Sequence, residues 1–113
     1  MEERFDIVCI GGANVDVFVD AAKNEFRRHG KHPDICYPLG EKILVNHITF
    51  DVGGGALNTA VAFSRLGLKA GCVVALGNDE SKEIVMRRID REKVDFLGQV
   101  KEGDTGYSII LTT

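Results

Sequence analysis

Residues 41–77, EKILVNHITFDVGGGALNTAVAFSRLGLKAGCVVALG, constrain the fold more than any other part of the chain. An alternating run places Leu44, Ile48, Phe50 and Val52 on one face and Ile43, Val45, His47 and Thr49 on the other, the period of a strand. Three glycines, Gly53 to Gly55, interrupt it. From Ala56 the period changes to that of a helix, with Leu57, Ala60, Val61 and Ser64 on one stripe and Gly67 where a left-handed C-terminal cap ends it. A second apolar run, LKAGCVVALG, then reads as a buried strand. Strand, helix and strand joined by such short turns point to an α/β fold built on a parallel sheet.

The flanking segments extend this pattern. RFDIVCIGG is nearly continuously apolar and stops at Gly11 and Gly12, which predicts a strand buried on both faces. NVDVFVD alternates, with Val15, Val17 and Val19 on one side and Asp16, Phe18 and Asp20 on the other, as in a half-exposed strand. Residues 21–40 are polar, contain both prolines and lack a period, so they read as a short helix or long loop. Asp79 or Ser81 can cap a second helix running to about Arg91 over the stripe Ile84, Val85 and Ile89. GDTG then turns into a last strand, YSIILTT. The order is β, β, loop, β, α, β, α, β, with extra strands inserted near the start. The chain stops inside its last strand, and a doubly wound sheet with two long buried strands would leave edges unpaired, so a fragment of a larger fold is expected.

Composition narrows the class of function. Among 113 residues, 44% are apolar and 27% charged, as in ordinary globular proteins. The formal charge of −3 gives no global reason to expect nucleic acid or an anionic membrane. Met1 is followed by Glu2 and Glu3, unlike a secretory signal, and no apolar stretch reaches the length of a membrane span. Cys9, Cys36 and Cys72 form no CxxC pair and have no His at ligand spacing, so no metal site is expected and a reducing cytoplasm fits. Residues 23–32, with Lys23, Arg27, Arg28 and Lys31, read as a solvated loop, and RRIDREK as an exposed helix end of mixed charge.

Two motifs carry chemistry. The glycine turn before a helix lets backbone approach a ligand, with free N–H groups at the positive helix end. The spacing Gly53, Gly55, Asn58 nearly matches a dinucleotide fingerprint, but Asn58 stands where the third glycine permits close helix packing, and no GK[ST] of a P-loop follows. A tight corner without a ligand is the bland alternative. In GGANVD, Asn14 and Asp16 lie two apart, on one side of an extended chain. A carboxylate beside a carboxamide offers the acceptors and donors that a polyol requires. Taken alone, Asn14 could stabilise a turn and Asp16 could be a solvated edge residue.

GGANVD followed by GGGALNTAVAFSRLGLKAGCVVALGND resembles the ribokinase/pfkB carbohydrate kinase family, which includes fructokinases and adenosine kinases, over essentially the whole chain. Gly53, Gly54, Asn58, Thr59 or Ala60, and Arg65 to Gly67 stand at positions of the family's first signature; Gly77 to Asp79 and the stretch from Thr105 also look like family positions. The resemblance implies a ribokinase-like α/β core with an inserted β-sheet lid, the lid strands lying at about 15–20, 42–51 and 107–113. It implies that Asn14 and Asp16 hydrogen-bond substrate hydroxyls, that the Gly54 and Gly55 backbone approaches the sugar, and that Asn58 binds it from the helix start. The implied reaction is phosphoryl transfer from ATP, with Mg2+, to a hydroxymethyl group of a sugar or nucleoside. Lid sheets of such kinases often pair between subunits, so a homo-oligomer through lid strands is expected.

One departure matters. The family's catalytic base lies in a GxGD motif that also forms the anion hole, and no GxGD occurs in these 113 residues. The expectation is therefore the N-terminal, substrate-side portion of a kinase, inactive alone, with base, ATP site and metal beyond residue 113. The alternative is a short non-catalytic module that binds a polyol or self-assembles.

Overall fold

A computed structural model describes residues 4–21, 25–29 and 31–112, with the side chains of 25–29 left out of the description. The sequence readings placed on residues 1–3, on Lys23, Arg27, Arg28 and His29 as basic side chains, and on Thr113 lie outside it.

The elements run β1 (Ile7–Ile10), β2 (Asn14–Asp20), β3 (Glu25–His29), β4 (His32–Cys36), β5 (His47–Gly53), α1 (Gly55–Arg65), β6 (Ala70–Val73), β7 (Ala75–Gly77), α2 (Glu80–Arg91), β8 (Asp95–Phe96), β9 (Gln99–Lys101) and β10 (Gly106–Thr112). An inner sheet has the order β1-β6-β8, all parallel, and β7 pairs with β9, also parallel. An outer sheet has the order β10-β2-β5, with β10 parallel and β5 antiparallel to β2. Parallel pairing of β1 with β6 needs a crossover, and α1 supplies its final leg, packing on both strands.

The core lies between the inner sheet and the helices. Leu57 and Ala60 of α1 and Val85 and Ile89 of α2 are buried together with Cys72, Leu76 and Val94. Each helix turns the stripe expected from its period to the core, with Val61, Ser64 and Ile84 only partly buried, because apolar residues three and four apart share one face. The C-terminal ends of the helices are tied together. Ser64 donates its hydroxyl to the Glu92 carbonyl at 2.6 Å, and Arg65 reaches the Glu92 carboxylate at 2.9 and 2.5 Å. Burial pushes the Cys72 thiol up to about 11, so this cysteine is packing material and not a nucleophile.

The outer sheet projects from this core. The radius of gyration is 17.7 Å, against about 13 Å for a compact domain of this length. Its pairing register sorts residues cleanly between two faces. One face carries the rungs Val15, Val52, Tyr107; Val17, Phe50, Ile109; and Val19, Ile48, Leu111, all apolar. Its flanks are exposed, with Phe50 at 56% and Ile109 at 63%. The opposite face carries Asn14, Gly53, Gly106; then Asp16, Asp51, Ser108; then Phe18, Thr49, Ile110.

Four expectations are corrected. Residues 21–40, read as a short helix or loop, contain the antiparallel hairpin β3-β4. Its polar sequence offers no apolar face from which a strand period could be seen. The strand expected at 42–51 starts only at His47, because β2 ends at Asp20, opposite His47, and the residues before His47 have no ladder partner among the described residues. The run 70–77 is two strands, β6 and β7, divided at Val74 where the pairing partner changes to β9. The first strand is not buried on both faces: Val8 and Ile10 are 43% and 78% exposed, because α1 covers only one side of it.

Candidate functional site

The candidate site lies where the three strands of the outer sheet leave the core. Their first common rung is Asn14, flanked by Gly53 on β5 and Gly106 on β10. Asn14 Nδ2 donates to Asp16 Oδ1 at 2.6 Å, so the two side chains meet on one face, as their spacing requires. Both are partly buried. This bond uses one amide hydrogen of Asn14 and one carboxylate oxygen of Asp16, leaving a donor, an amide carbonyl and the second carboxylate oxygen available.

Gly53 makes room for the carboxylate. A Cβ built on Gly53 would stand 2.5 Å from Asp16 Oδ2 and 3.8 Å from Asn14 Nδ2. Any side chain there would push Asp16 aside. Gly54 has a different reason to be glycine: its φ is +102°, and a Cβ would meet the Gly12 carbonyl oxygen at 2.4 Å. That close approach packs the corner before α1 onto the turn between β1 and β2, where Leu57 N–H also donates to Gly12 O at 3.4 Å. Gly55, at the first position of α1, has nothing within 4 Å of its Cβ direction and faces open space.

The N-terminus of α1 is uncapped. Gly54 offers no side chain to the first N–H groups, and no acidic residue stands in the first turn. Asn58 lies one turn inside, exposed; its N–H donates to Gly54 O at 2.9 Å, and its side chain makes no hydrogen bond among the described residues. Thr59 donates its hydroxyl to Gly55 O at 2.5 Å, which turns that group back onto the helix.

A second carboxylate needs explanation, because Asp51 is paired directly with Asp16 across β2 and β5. Two like charges on one rung repel. Asp51 Oδ1 is instead engaged by Val52 N–H at 2.8 Å and by Arg88 Nη2 of α2 at 2.9 Å. The Val52 N–H, opposed by burial and helped by the Arg88 guanidinium, holds the Asp51 carboxyl below its ordinary value. The arginine offsets the Asp51 charge across the rung from Asp16. RRIDREK is thus not uniformly solvated: Arg88 joins α2 to β5, whereas Arg87 and Arg91 stay exposed beside it. Among the described residues no group of three or more His, Cys, Asp and Glu could hold a metal ion. No helix is long and apolar enough to cross a membrane, again among the described residues.

Of the five residues singled out in the sequence, the structure joins Asn14 and Asp16 directly and sets Gly54, Gly55 and Asn58 on the corner and first turn that follow Gly53. Sequence reasoning missed the opening at Gly53 and the ion pair that screens Asp51. The first was hidden because three adjacent glycines look alike until a partner strand is placed beside them.

Comparisons with known proteins bear on the family and the fold. The model of the pfkB family carbohydrate kinases matches residues 4–113. The uncharacterized sugar kinase YegV of Escherichia coli (strain K12) is 32% identical over 108 residues, 96% of this chain and 30% of that protein. The 5-dehydro-2-deoxygluconokinase of Clostridium botulinum is 30% identical over 112 residues, 98% of this chain and 28% of its own length. Among solved structures, ribokinase from Thermotoga maritima superimposes with a TM-score of 0.72 at 18% identity, over 96% of this chain and 33% of that one. Phosphofructokinase-2 from Escherichia coli does so at 0.67 and 19%, over 96% and 31%. The chain therefore has part of a ribokinase-like α/β fold and spans about three-tenths of the length of the curated relatives it matches. With a family model covering nearly all of its residues, the chain belongs to the pfkB family of carbohydrate kinases.

Proposed function

We propose that this chain is the substrate-binding portion of an ATP-dependent kinase that phosphorylates a hydroxymethyl group of a sugar or nucleoside. The observation that carries the reading is the Asn14–Asp16 pair, 2.6 Å apart and given room by Gly53, beside the uncapped start of α1. Asp16 accepts hydrogen bonds from adjacent hydroxyls, and a vicinal diol can satisfy a carboxylate and a carboxamide together. The Gly55 backbone and the Asn58 side chain approach the same ligand from the helix side. The outer sheet β10-β2-β5 is the lid of this site, with Asn14, Asp16 and Phe18 on its ligand-facing side.

ATP with Mg2+ supplies the transferable phosphoryl group when bound. In this reading the base and the nucleotide site come from sequence outside the 113 residues, so the chain binds substrate without turning it over. The three free thiols fit a reducing cytoplasm. The all-apolar lid face, with Ile48, Phe50, Tyr107, Ile109 and Leu111 exposed, supports pairing with the lid of a second copy.

The test is binding of D-ribose, D-fructose, 2-keto-3-deoxygluconate and adenosine by calorimetry, with Asp16→Ala as control. The expected result is one ligand bound by the native chain and its affinity lowered about 100-fold in the variant, with an unchanged circular dichroism spectrum, since a hydrogen-bonded charge is removed. Retained affinity in the variant would remove Asp16 from the site. Failure of all four compounds to bind would count against the substrate class.

A further inference from the structure

The residue that caps α2 does more than cap it. Asp79 Oδ1 accepts the Lys82 N–H at 3.0 Å, the usual N-cap bond, but it also accepts the Thr105 hydroxyl at 2.6 Å, and Oδ2 accepts the Thr105 N–H at 2.8 Å. Two of the three bonds thus go to a residue far along the chain. Thr105, 3% exposed, is the buried polar residue among the described residues, and its hydroxyl is engaged as donor and acceptor, since its oxygen also accepts the Gly77 N–H at 3.0 Å. A helix cap alone needs none of this.

Thr105 is the last residue before β10, and Gly106 begins the strand directly opposite Asn14. A Cβ on Gly106 would lie 3.1 Å from the Asn14 Cβ, so this rung leaves little slack. The path from Asp79 through Thr105 and Gly106 reaches Asn14, and through its 2.6 Å bond Asp16, by hydrogen bonds and strand pairing.

We propose that Asp79 and Thr105 are positioning residues for the substrate: their hydrogen-bonded latch anchors the root of lid strand β10 to the core and so sets where the Asn14–Asp16 pair stands relative to the start of α1. The proposal rests on the reading of Asn14 and Asp16 as sugar ligands. It adds two residues that touch no substrate yet govern its affinity. A latch at the root allows the outer part of the lid to move while its ligand-bearing rung stays fixed to the core.

The experiment uses the 113-residue chain with Thr105→Val, which keeps the shape and removes the hydroxyl, Thr105→Ser, which keeps the hydroxyl, and Asp79→Asn, which removes the charge at nearly constant size. Three quantities are read: the side-chain amide resonances of Asn14 by NMR, hydrogen exchange along β10, and affinity for whichever of D-ribose, D-fructose, 2-keto-3-deoxygluconate or adenosine binds the native chain. In Thr105→Val and Asp79→Asn the Asn14 amide resonances shift, exchange in β10 quickens about tenfold while β6 is unchanged, and affinity falls about tenfold. Thr105→Ser restores all three. A lower melting temperature with the Asn14 resonances and affinity unchanged would overturn the proposal, leaving the latch a simple contributor to stability. If Thr105→Val does not fold, Asp79→Asn carries the same decision. If the native chain binds none of the four compounds, the substrate reading fails, and the Asn14 resonances still decide whether the latch controls that side chain.

Discussion

The two helices begin in opposite ways. At α2, Asp79 accepts the Lys82 N–H, and Glu80 and Glu83 place negative charge in the first turn. That end is closed and electrostatically satisfied. At α1, Gly54 stands at the cap with φ +102°, no side chain reaches the first N–H groups and no acid complements the dipole. In the proposed reading the open start of α1 faces the ligand while the closed start of α2 holds the lid root, and substitutions at each can test it.

The largest effect is expected at the corner itself. Gly54→Ala forces a Cβ into the Gly12 carbonyl at 2.4 Å and a side chain into left-handed backbone, and should cost about 2–4 kcal/mol in denaturant melts. A near-neutral result would show that the corner can shift and that the open end of α1 is not rigidly set. Next comes Gly53→Ala, whose Cβ would stand 2.5 Å from Asp16 Oδ2. Here the expected loss is in sugar affinity, tenfold or more, with only a few degrees in Tm, because the displaced group is the end of a short side chain.

The closed helix start should respond to pH. The Thr105 hydroxyl, followed by the Thr105 N–H, holds the Asp79 carboxyl below its ordinary value of 3.8. Its folded value is the lower one, so its stabilisation is complete above 3.8 and is lost as the pH falls through the depressed value. Stability of the native chain should fall as the pH drops from 3.8 toward the depressed value, and that of Asp79→Asn should change less over the same window. The smallest effect is at Gly55, where a methyl group meets nothing within 4 Å. Gly55→Ala should stabilise the free chain by about 0.5 kcal/mol through lost unfolded-state freedom, yet weaken sugar binding by crowding the approach. A variant that gains stability and keeps its affinity would show that the ligand does not lie over Gly55.

Much of this molecule was legible in its sequence. The period changes at Ala56 and again after Gly67 placed α1, the Asp79 cap placed α2, and the alternation of NVDVFVD placed Asn14 and Asp16 on one face. These features are local, set by side-chain spacing along a single element. The hairpin β3-β4 and the short strands β8 and β9 were not legible, because pairing of a few polar or isolated residues leaves no period to read.

The site divides in the same way. The resemblance of GGANVD and GGGALNTA to the carbohydrate kinase family is what singled out Asn14, Asp16, Gly54, Gly55 and Asn58. Which of the three glycines makes room for the carboxylate, which packs a corner and which faces open space depends on what lies across from each of them. So does the fate of Asp51, paired with Asp16 by strand register and screened by Arg88 from another helix, and of Thr105, held by Asp79 from 26 residues away. The sequence alone determined the elements and the chemical groups, since propensity, capping and alternation act within a few residues. The tertiary structure decided which groups meet, since strand register and helix packing bring together residues with no local relation to one another.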